Sequence, residues 1–123
     1  MDFAELVTNL PVVVQKVSNQ LREIVRDELP TANEAIPGGT STPQAVYWLD
    51  QPSNVICMIL PGKKACQINI HYLEPADSEV FNIEGQETGN RIISFSQPLD
   101  ADETDELTRL IHLGASRAER AEF

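Results

Sequence analysis

The stretch VICMILPGKKACQINIH, residues 55 to 71, predicts a β-hairpin around which the rest of the fold is organised. Its first half is almost continuously apolar, which is typical of a strand in the middle of a sheet. Its second half alternates, as expected where one face of a strand is buried. The apolar positions are Cys66, Ile68 and Ile70, and the polar ones are Gln67, Asn69 and His71. One face of the hairpin is therefore apolar and the other is polar.

The two cysteines lie on this hairpin. If PGKK, residues 61 to 64, forms a four-residue loop, Cys57 lies opposite Ile68. Cys66 then lies diagonally from Cys57, with the two residues about 7 Å or more apart, which is poor geometry for a disulfide. We therefore expect two buried free thiols, as is usual in a cytoplasmic protein.

Helical patterns flank the strands. Residues 11 to 29 repeat apolar side chains at helical spacing, with Asn9 as the expected cap, and Pro30 ends the pattern. A second pattern follows Asp100, whose spacing to Glu103 is that of a capping box.

Short strand patterns complete the chain at residues 34–36, 44–50 and 91–96. The strands are joined by short connections, so the sheet should be largely antiparallel. The sequence predicts one α+β domain over residues 1–123. It contains an antiparallel sheet of about five strands, with the N-terminal and C-terminal helices packed on one face.

The charge balance restricts the partners. Nine basic residues face nineteen acidic ones, for a net charge of −10. Such a chain repels phosphate backbones and anionic membrane surfaces, so we expect neither nucleic-acid nor membrane binding. No apolar run is long enough for a membrane span, and the acidic N-terminus does not resemble a secretory signal, so we expect a cytoplasmic protein.

The polar face of the hairpin is the first candidate site. Gln67, Asn69 and His71 should look away from the helices, and Arg91 should lie at the edge of this face. An arginine beside Gly85 and Gly89 can bind a carboxylate or phosphate with two hydrogen bonds. The alternatives are a structural salt bridge for Arg91, and for the whole face a dimer interface or plain solvent surface.

The acidic segment DADETDE, residues 100 to 106, is the second candidate. Asp102, Glu103 and Glu106 could together hold a hard cation or bind iron weakly. The alternative is that acidic residues collect at a helix N-terminus because they interact favourably with its dipole. The spacing of an EF-hand loop is absent.

Catalytic patterns are missing from the chain. There is no Gly-x-Ser-x-Gly motif, and Cys66 and His71 fall on opposite faces of one strand, so they cannot form a Cys–His pair. We predict no enzymatic activity and no cofactor.

The order of these segments resembles the YdhG-like family of small bacterial and archaeal domains. The resemblance covers about residues 10 to 115 and rests on five features. They are Leu21-Arg22, Pro30, residues 34–36, the glycines Gly85 and Gly89 before Arg91, and the acidic cap and apolar helix at residues 100–111. Two features depart from the family pattern: GGTSTPQAVY, residues 38–47, is stretched, and residues 63–65 lack the Lys-x-His pair, so no ligand role is carried over for that histidine.

The resemblance implies a frataxin-like layering of an antiparallel sheet and two terminal helices. It also implies that the function is either unassigned or that of an iron chaperone binding iron through surface carboxylates. We therefore rank a non-enzymatic binding domain for an unknown small molecule or protein first, with a homodimer possible. The iron chaperone comes second and an enzyme third.

Overall fold

A computed structural model describes residues 1–37, 42–87 and 89–121 of the chain. The segment with Gly38 and Gly39, which we expected to be a loop, lies outside the described residues. The helices are α1 (Phe3–Val7), α2 (Val12–Glu28) and α3 (Ala101–Arg120), with a short 3-10 turn at Pro75–Asp77. The strands are β1 (Asn33–Ala35), β2 (Ala45–Trp48), β3 (Val55–Pro61), β4 (Cys66–Ile70) and β5 (Ile92–Phe95).

The five strands form one antiparallel sheet in the order β1-β2-β3-β4-β5. Helices α2 and α3 pack against each other and against the central strands β3 and β4. Ile68 and Ile70 face these helices and are fully buried. The predicted α+β class, the antiparallel sheet and the single helix-covered face are confirmed.

The predicted register of the hairpin is wrong by two residues. Cys57 lies opposite Ile70 rather than Ile68, because Pro61 still belongs to β3 and pairs with Cys66. The shift is an even number of residues, so every side chain keeps its predicted face. It also moves Cys57 and Cys66 four positions out of register, and both are buried free thiols, as expected.

Local sequence accounts for the ends of the long helices. Asp100 and Glu103 form the predicted capping box, with Glu103 N–H donating to Asp100 Oδ1 at 2.8 Å and Asp100 N–H donating to Glu103 Oε1 at 3.1 Å. The cap that we expected at Asn9 is wrong. The residue preceding α2 is Pro11, which provides no side-chain cap but whose fixed φ suits this position.

The core lies between the helices and the sheet. It includes Leu21 and Val25 of α2, Leu107 and Ile111 of α3 and Ile59 of β3, all of which are fully buried. Gly114 allows α3 to approach the sheet closely, since a Cβ there would lie 2.8 Å from Ile70 Cγ2 and 3.0 Å from the His71 carbonyl oxygen. None of the helices within the described ranges combines the length and the apolar content that crossing a membrane requires.

Candidate functional site

The side of the sheet opposite the helices, which we call the open sheet face, carries the alternate residues of each strand. Cross-strand partners share a face, so the pairings identify its members. They are Asn33, Ala35, Val46, Trp48, Val55, Met58, Leu60, Gln67, Asn69, Ile92 and Ser94. Helices α2 and α3 pack on the other side of the sheet, where Ile59, Ile68 and Ile70 are buried.

The open sheet face is more apolar than the hairpin sequence alone suggests. One row of direct partners crosses all five strands: Ala35, Val46, Met58, Asn69 and Ile92. No strand position on this face carries a charged side chain, although the chain has nine basic and nineteen acidic residues. Met58, Leu60 and Trp48 are half-buried, so each keeps part of its apolar surface in water.

The predicted polar row is only partly exposed. Gln67 lies on the open sheet face and is half-buried, with its Nε2 donating to Ser94 Oγ at 3.2 Å. Asn69 lies on the same face, but only 7% of it is exposed. Its Nδ2 donates to the Gly89 carbonyl at 3.1 Å, and its Oδ1 accepts from Arg91 N–H at 2.9 Å. The segment before β5 therefore folds over Asn69 and uses both ends of its amide.

His71 does not extend the row as a strand residue. Strand β4 ends at Ile70, and Tyr72 has a φ of 69°, which turns the chain away from the sheet. The His71 ring is half-buried, and its Nε2 is enclosed without a hydrogen-bond partner among the described residues. Burial lowers the pKa of this imidazole and so favours its neutral form.

Arg91 is not at the edge of an open groove. Its side chain is only 7% exposed, because it lies beneath the connection between β4 and β5. Its Nε donates to the Leu73 carbonyl at 2.9 Å, and its Nη1 donates to the Gly85 carbonyl at 2.6 Å. Its Nη2 lies 3.2 Å from Glu74 Oε2. The guanidinium thus ties together the two ends of this connection, and Arg91 forms the structural salt bridge that was its alternative role.

The same connection is fastened to α3 by two further arginines. Arg117 donates two hydrogen bonds to Asp77, at 2.6 and 3.1 Å, and one to the Tyr72 carbonyl at 2.8 Å. Arg109 reaches the Asp77 carbonyl at 2.6 Å. The hydrogen bonds from Arg117 lower the pKa of Asp77 below its usual value. A long segment without strands is therefore held by buried and half-buried charge pairs.

The three acids proposed as an iron site have separate local roles. Glu103 belongs to the capping box, and Asp102 is exposed in the first turn of α3. Glu106 accepts hydrogen bonds from Arg109 and from Ser78 Oγ, the latter at 2.7 Å. Across residues 1–37, 42–87 and 89–121, no three His, Cys, Asp or Glu side chains group closely enough to hold a metal ion.

Arg22, Glu34 and Tyr47 form a hydrogen-bonded ionic cluster that we did not predict from the sequence. Glu34 of β1 accepts two hydrogen bonds from Arg22 of α2, at 2.8 and 2.9 Å, and one from the Tyr47 hydroxyl at 2.6 Å. The hydrogen bonds from Arg22 lower the pKa of Glu34, whereas burial, more than the carboxylate, raises the pKa of Tyr47. The Arg22–Glu34 contact joins α2 to β1 at the edge of the sheet.

Two concave features lie away from the open sheet face. One is a cleft of about 220 Å³ between the β2–β3 turn and the end of α3, and the other is a depression of about 320 Å³ on the outer side of α2. Asn54 is among the polar residues that line the cleft, but its Nδ2 already donates to the Ala118 carbonyl and its Oδ1 accepts from Tyr72. The volume of this cleft is below that of usual small-molecule pockets, and the depression on α2 is lined only by polar and charged side chains, whereas such pockets are mostly apolar. The open sheet face is therefore the better candidate for a binding surface.

Comparison with known proteins adds no relative. No family model, no curated protein and no solved structure matches this chain, and its membership of the YdhG-like family stays an expectation from the sequence.

Proposed function

We propose that this chain is a non-enzymatic binding domain that uses the open sheet face to hold an apolar, uncharged surface of a protein partner. The observation that carries the proposal is the charge-free row of Val46, Met58 and Ile92 on the side of the sheet that the helices leave uncovered. Binding ranks above catalysis because of this surface, and not because catalytic groups are missing.

Covering a charged surface costs more free energy than covering an uncharged one. Charged side chains are depleted at the centres of protein interfaces, because burying an unpaired charge is unfavourable. The chain has nineteen acidic and nine basic residues, and none of them occupies a strand position on the open sheet face. The strands carry no charge on this face, and Glu84 lies only at its β5 edge, so the part with Trp48, Met58 and Leu60 can be covered without that cost.

The four residues first proposed as a ligand groove fit this function in unequal ways. Gln67 stays on the surface, where its amide can contact a partner at the rim. Asn69 and Arg91 shape the face indirectly, because they fold the segment before β5 onto it. His71 remains a proposed ligand residue, and its Nε2 has no hydrogen-bond partner in the part of the chain that the structure describes.

A peptide library tests the proposal. Peptides selected from a random library on the immobilised chain should be apolar and without acidic residues, and their binding should change the fluorescence of Trp48, the only tryptophan. Met58→Asp places a charge in the row and should weaken binding at least about tenfold. Val12→Asp is the matched control, since Val12 is 67% exposed at the start of α2 and off this face. Equal binding to both variants would refute the proposed surface.

The iron chaperone remains the second candidate. It is supported by the net charge of −10, which attracts cations, and by the acids at the start of α3. Titration with ferrous iron under anaerobic conditions should then release or absorb heat at micromolar concentrations. The response should weaken when Asp102, Glu103 and Glu106 are replaced by their amides. No heat and no shift in melting temperature would eliminate this candidate.

A further inference from the structure

Charges of opposite sign lie at the two ends of the open sheet face. Lys63 and Lys64 are exposed in the loop that joins β3 to β4, and neither forms an ion pair within the described part of the chain. Strand β4 runs from this loop to the opposite end of the sheet, where β5 begins, since Asn69 pairs with Ile92. This second end is acidic.

Two exposed carboxylates mark the acidic end. Glu84 forms an isolated bridge with Ile92, so its side chain lies on the same side of the sheet as Ile92. Glu87 follows in the segment that reaches Asn69 through the Gly89 carbonyl. Neither Glu84 nor Glu87 forms an ion pair with another described residue. The open sheet face is thus neutral in its middle, basic at one end and acidic at the other.

Given the proposed binding function, we infer that the partner is a second copy of this chain, packed face to face through the open sheet face. The two-fold axis lies between the sheets and runs perpendicular to the strands. This axis reverses the strand direction in the second copy. It therefore brings the Lys63–Lys64 loop of one chain to the end that carries Glu84 and Glu87 in the other.

The charge pattern selects this axis over the other face-to-face arrangement. A two-fold axis parallel to the strands would place lysines near lysines and carboxylates near carboxylates, which is repulsive. Only the perpendicular axis is self-complementary at both ends, as an isologous interface requires. Either axis keeps α3 on the outside of the dimer, because α3 lies on the opposite side of the sheet, so the charges at the two ends alone distinguish the two arrangements.

The size of the face predicts a weak, reversible dimer. Five strands about 4.8 Å apart give a face roughly 20–25 Å wide. Two such faces would bury on the order of 1,000 Å² in total, which is at the lower limit for specific interfaces. A dissociation constant of roughly micromolar order is therefore expected. Sedimentation equilibrium over about 1–500 µM protein covers this range.

Charge-reversal variants test both the partner and the axis. Lys63→Glu with Lys64→Glu should weaken the dimer at least about tenfold. Each reversal changes the charge by two, so this variant carries −14 instead of −10. Lys16→Glu with Arg120→Glu carries the same −14 on exposed positions of α2 and α3 and should have a much smaller effect.

Reversing the charges at the acidic end distinguishes a specific contact with the lysines of the second copy from general charge repulsion. Glu84→Lys with Glu87→Lys lowers the net charge to −6, yet it should weaken the dimer, because lysines would then meet lysines. Combining all four reversals restores −10 and should restore dimerisation. A stronger dimer in the Glu84→Lys, Glu87→Lys variant, or no recovery in the fourfold variant, would overturn this axis.

The results also distinguish a failure of the proposed dimer from a failure of the proposed binding function. A chain that stays monomeric to 500 µM, while library peptides bind the wild type and not Met58→Asp, overturns the dimer and leaves the proposed function intact. A dimer that Met58→Asp leaves unchanged overturns the dimer interface inferred here. If neither peptides nor a second copy bind the open sheet face, both proposals fail. Circular dichroism of every variant verifies that it is folded.

Discussion

Asn69 and Arg91, twenty-two residues apart in the chain, are joined by a hydrogen bond of 2.9 Å from the Arg91 backbone N–H to Asn69 Oδ1. The bond holds the start of β5 against the polar side of β4. Two residues that the sequence suggested for ligand binding are therefore used to close the sheet, and the apolar row beside them is left open. The candidate binding surface is therefore formed mainly by apolar residues such as Val46 and Met58, and not by the polar row.

Replacing Asn69 by alanine should destabilise the protein by about 1–3 kcal/mol, because a buried N–H and a carbonyl lose their partners. Gln67→Ala is the matched control on the same strand and face. Its side chain makes one surface hydrogen bond, so a change within about 0.5 kcal/mol is expected. Urea unfolding of both variants measures the difference. Equal, small effects would mean that Asn69 does not hold the segment before β5.

Glu34 should make stability depend on pH in the acid range. The folded-state pKa of Glu34 lies below its ordinary value of 4.5, mainly because Arg22 donates hydrogen bonds to it. Its contribution is therefore present above about pH 4.5 and is lost as the pH falls through the folded pKa. Glu34→Gln should lower the free energy of unfolding by about 1.5–3 kcal/mol at pH 7, and by less below pH 4.

Glu23→Gln provides the control for this prediction. Glu23 follows Arg22 on α2, is exposed and has no ion pair with a described residue, so the substitution removes the same charge without breaking a contact. Unfolding curves from pH 3 to 7 compare the two variants. If the difference in the free energy of unfolding between wild type and Glu34→Gln does not shrink below pH 4.5, the role assigned to Glu34 is wrong.

Gly85→Ala should be among the most damaging single changes in the chain. Gly85 has a φ of 114°, and a Cβ there would lie 1.5 Å from the Asn90 carbonyl oxygen. The segment must shift, which strains the contact between Arg91 and the Gly85 carbonyl. A loss of more than about 2 kcal/mol is expected. Gly89→Ala is the control, since no atom lies within 4 Å of its Cβ position, and it should stay within about 1 kcal/mol of wild type.

Both thiols should resist chemical labelling in the folded protein. Burial raises the pKa of Cys57 to about 12 and that of Cys66 to about 11. Little thiolate is then present at pH 8, so a disulfide reagent should react at least about a hundredfold more slowly than with the unfolded chain. Absorbance measurements with and without guanidinium test this. If one thiol reacts rapidly with the reagent in buffer without guanidinium, the strand that carries this thiol opens readily.

Local patterns predicted the layers of the fold because they depend on spacing alone. Ile68 and Ile70 had to share a face with Cys66, whatever the exact register, and the hairpin shift of two residues left that result unchanged. The Asp100–Glu103 capping box was equally predictable, since it joins residues three positions apart.

The roles of the polar residues were decided by contacts between distant segments. Arg117 meets Asp77 across forty residues, and Arg91 lies under a connection whose path no periodicity encodes. The sequence by itself therefore determined which side chains face the helices and which face away. Only the tertiary structure decided that Asn69 and Arg91 are buried while Met58 and Trp48 stay partly exposed. The reason is that burial on that side depends on where a long segment folds back, and hydrogen bonds between residues far apart in the chain hold it there.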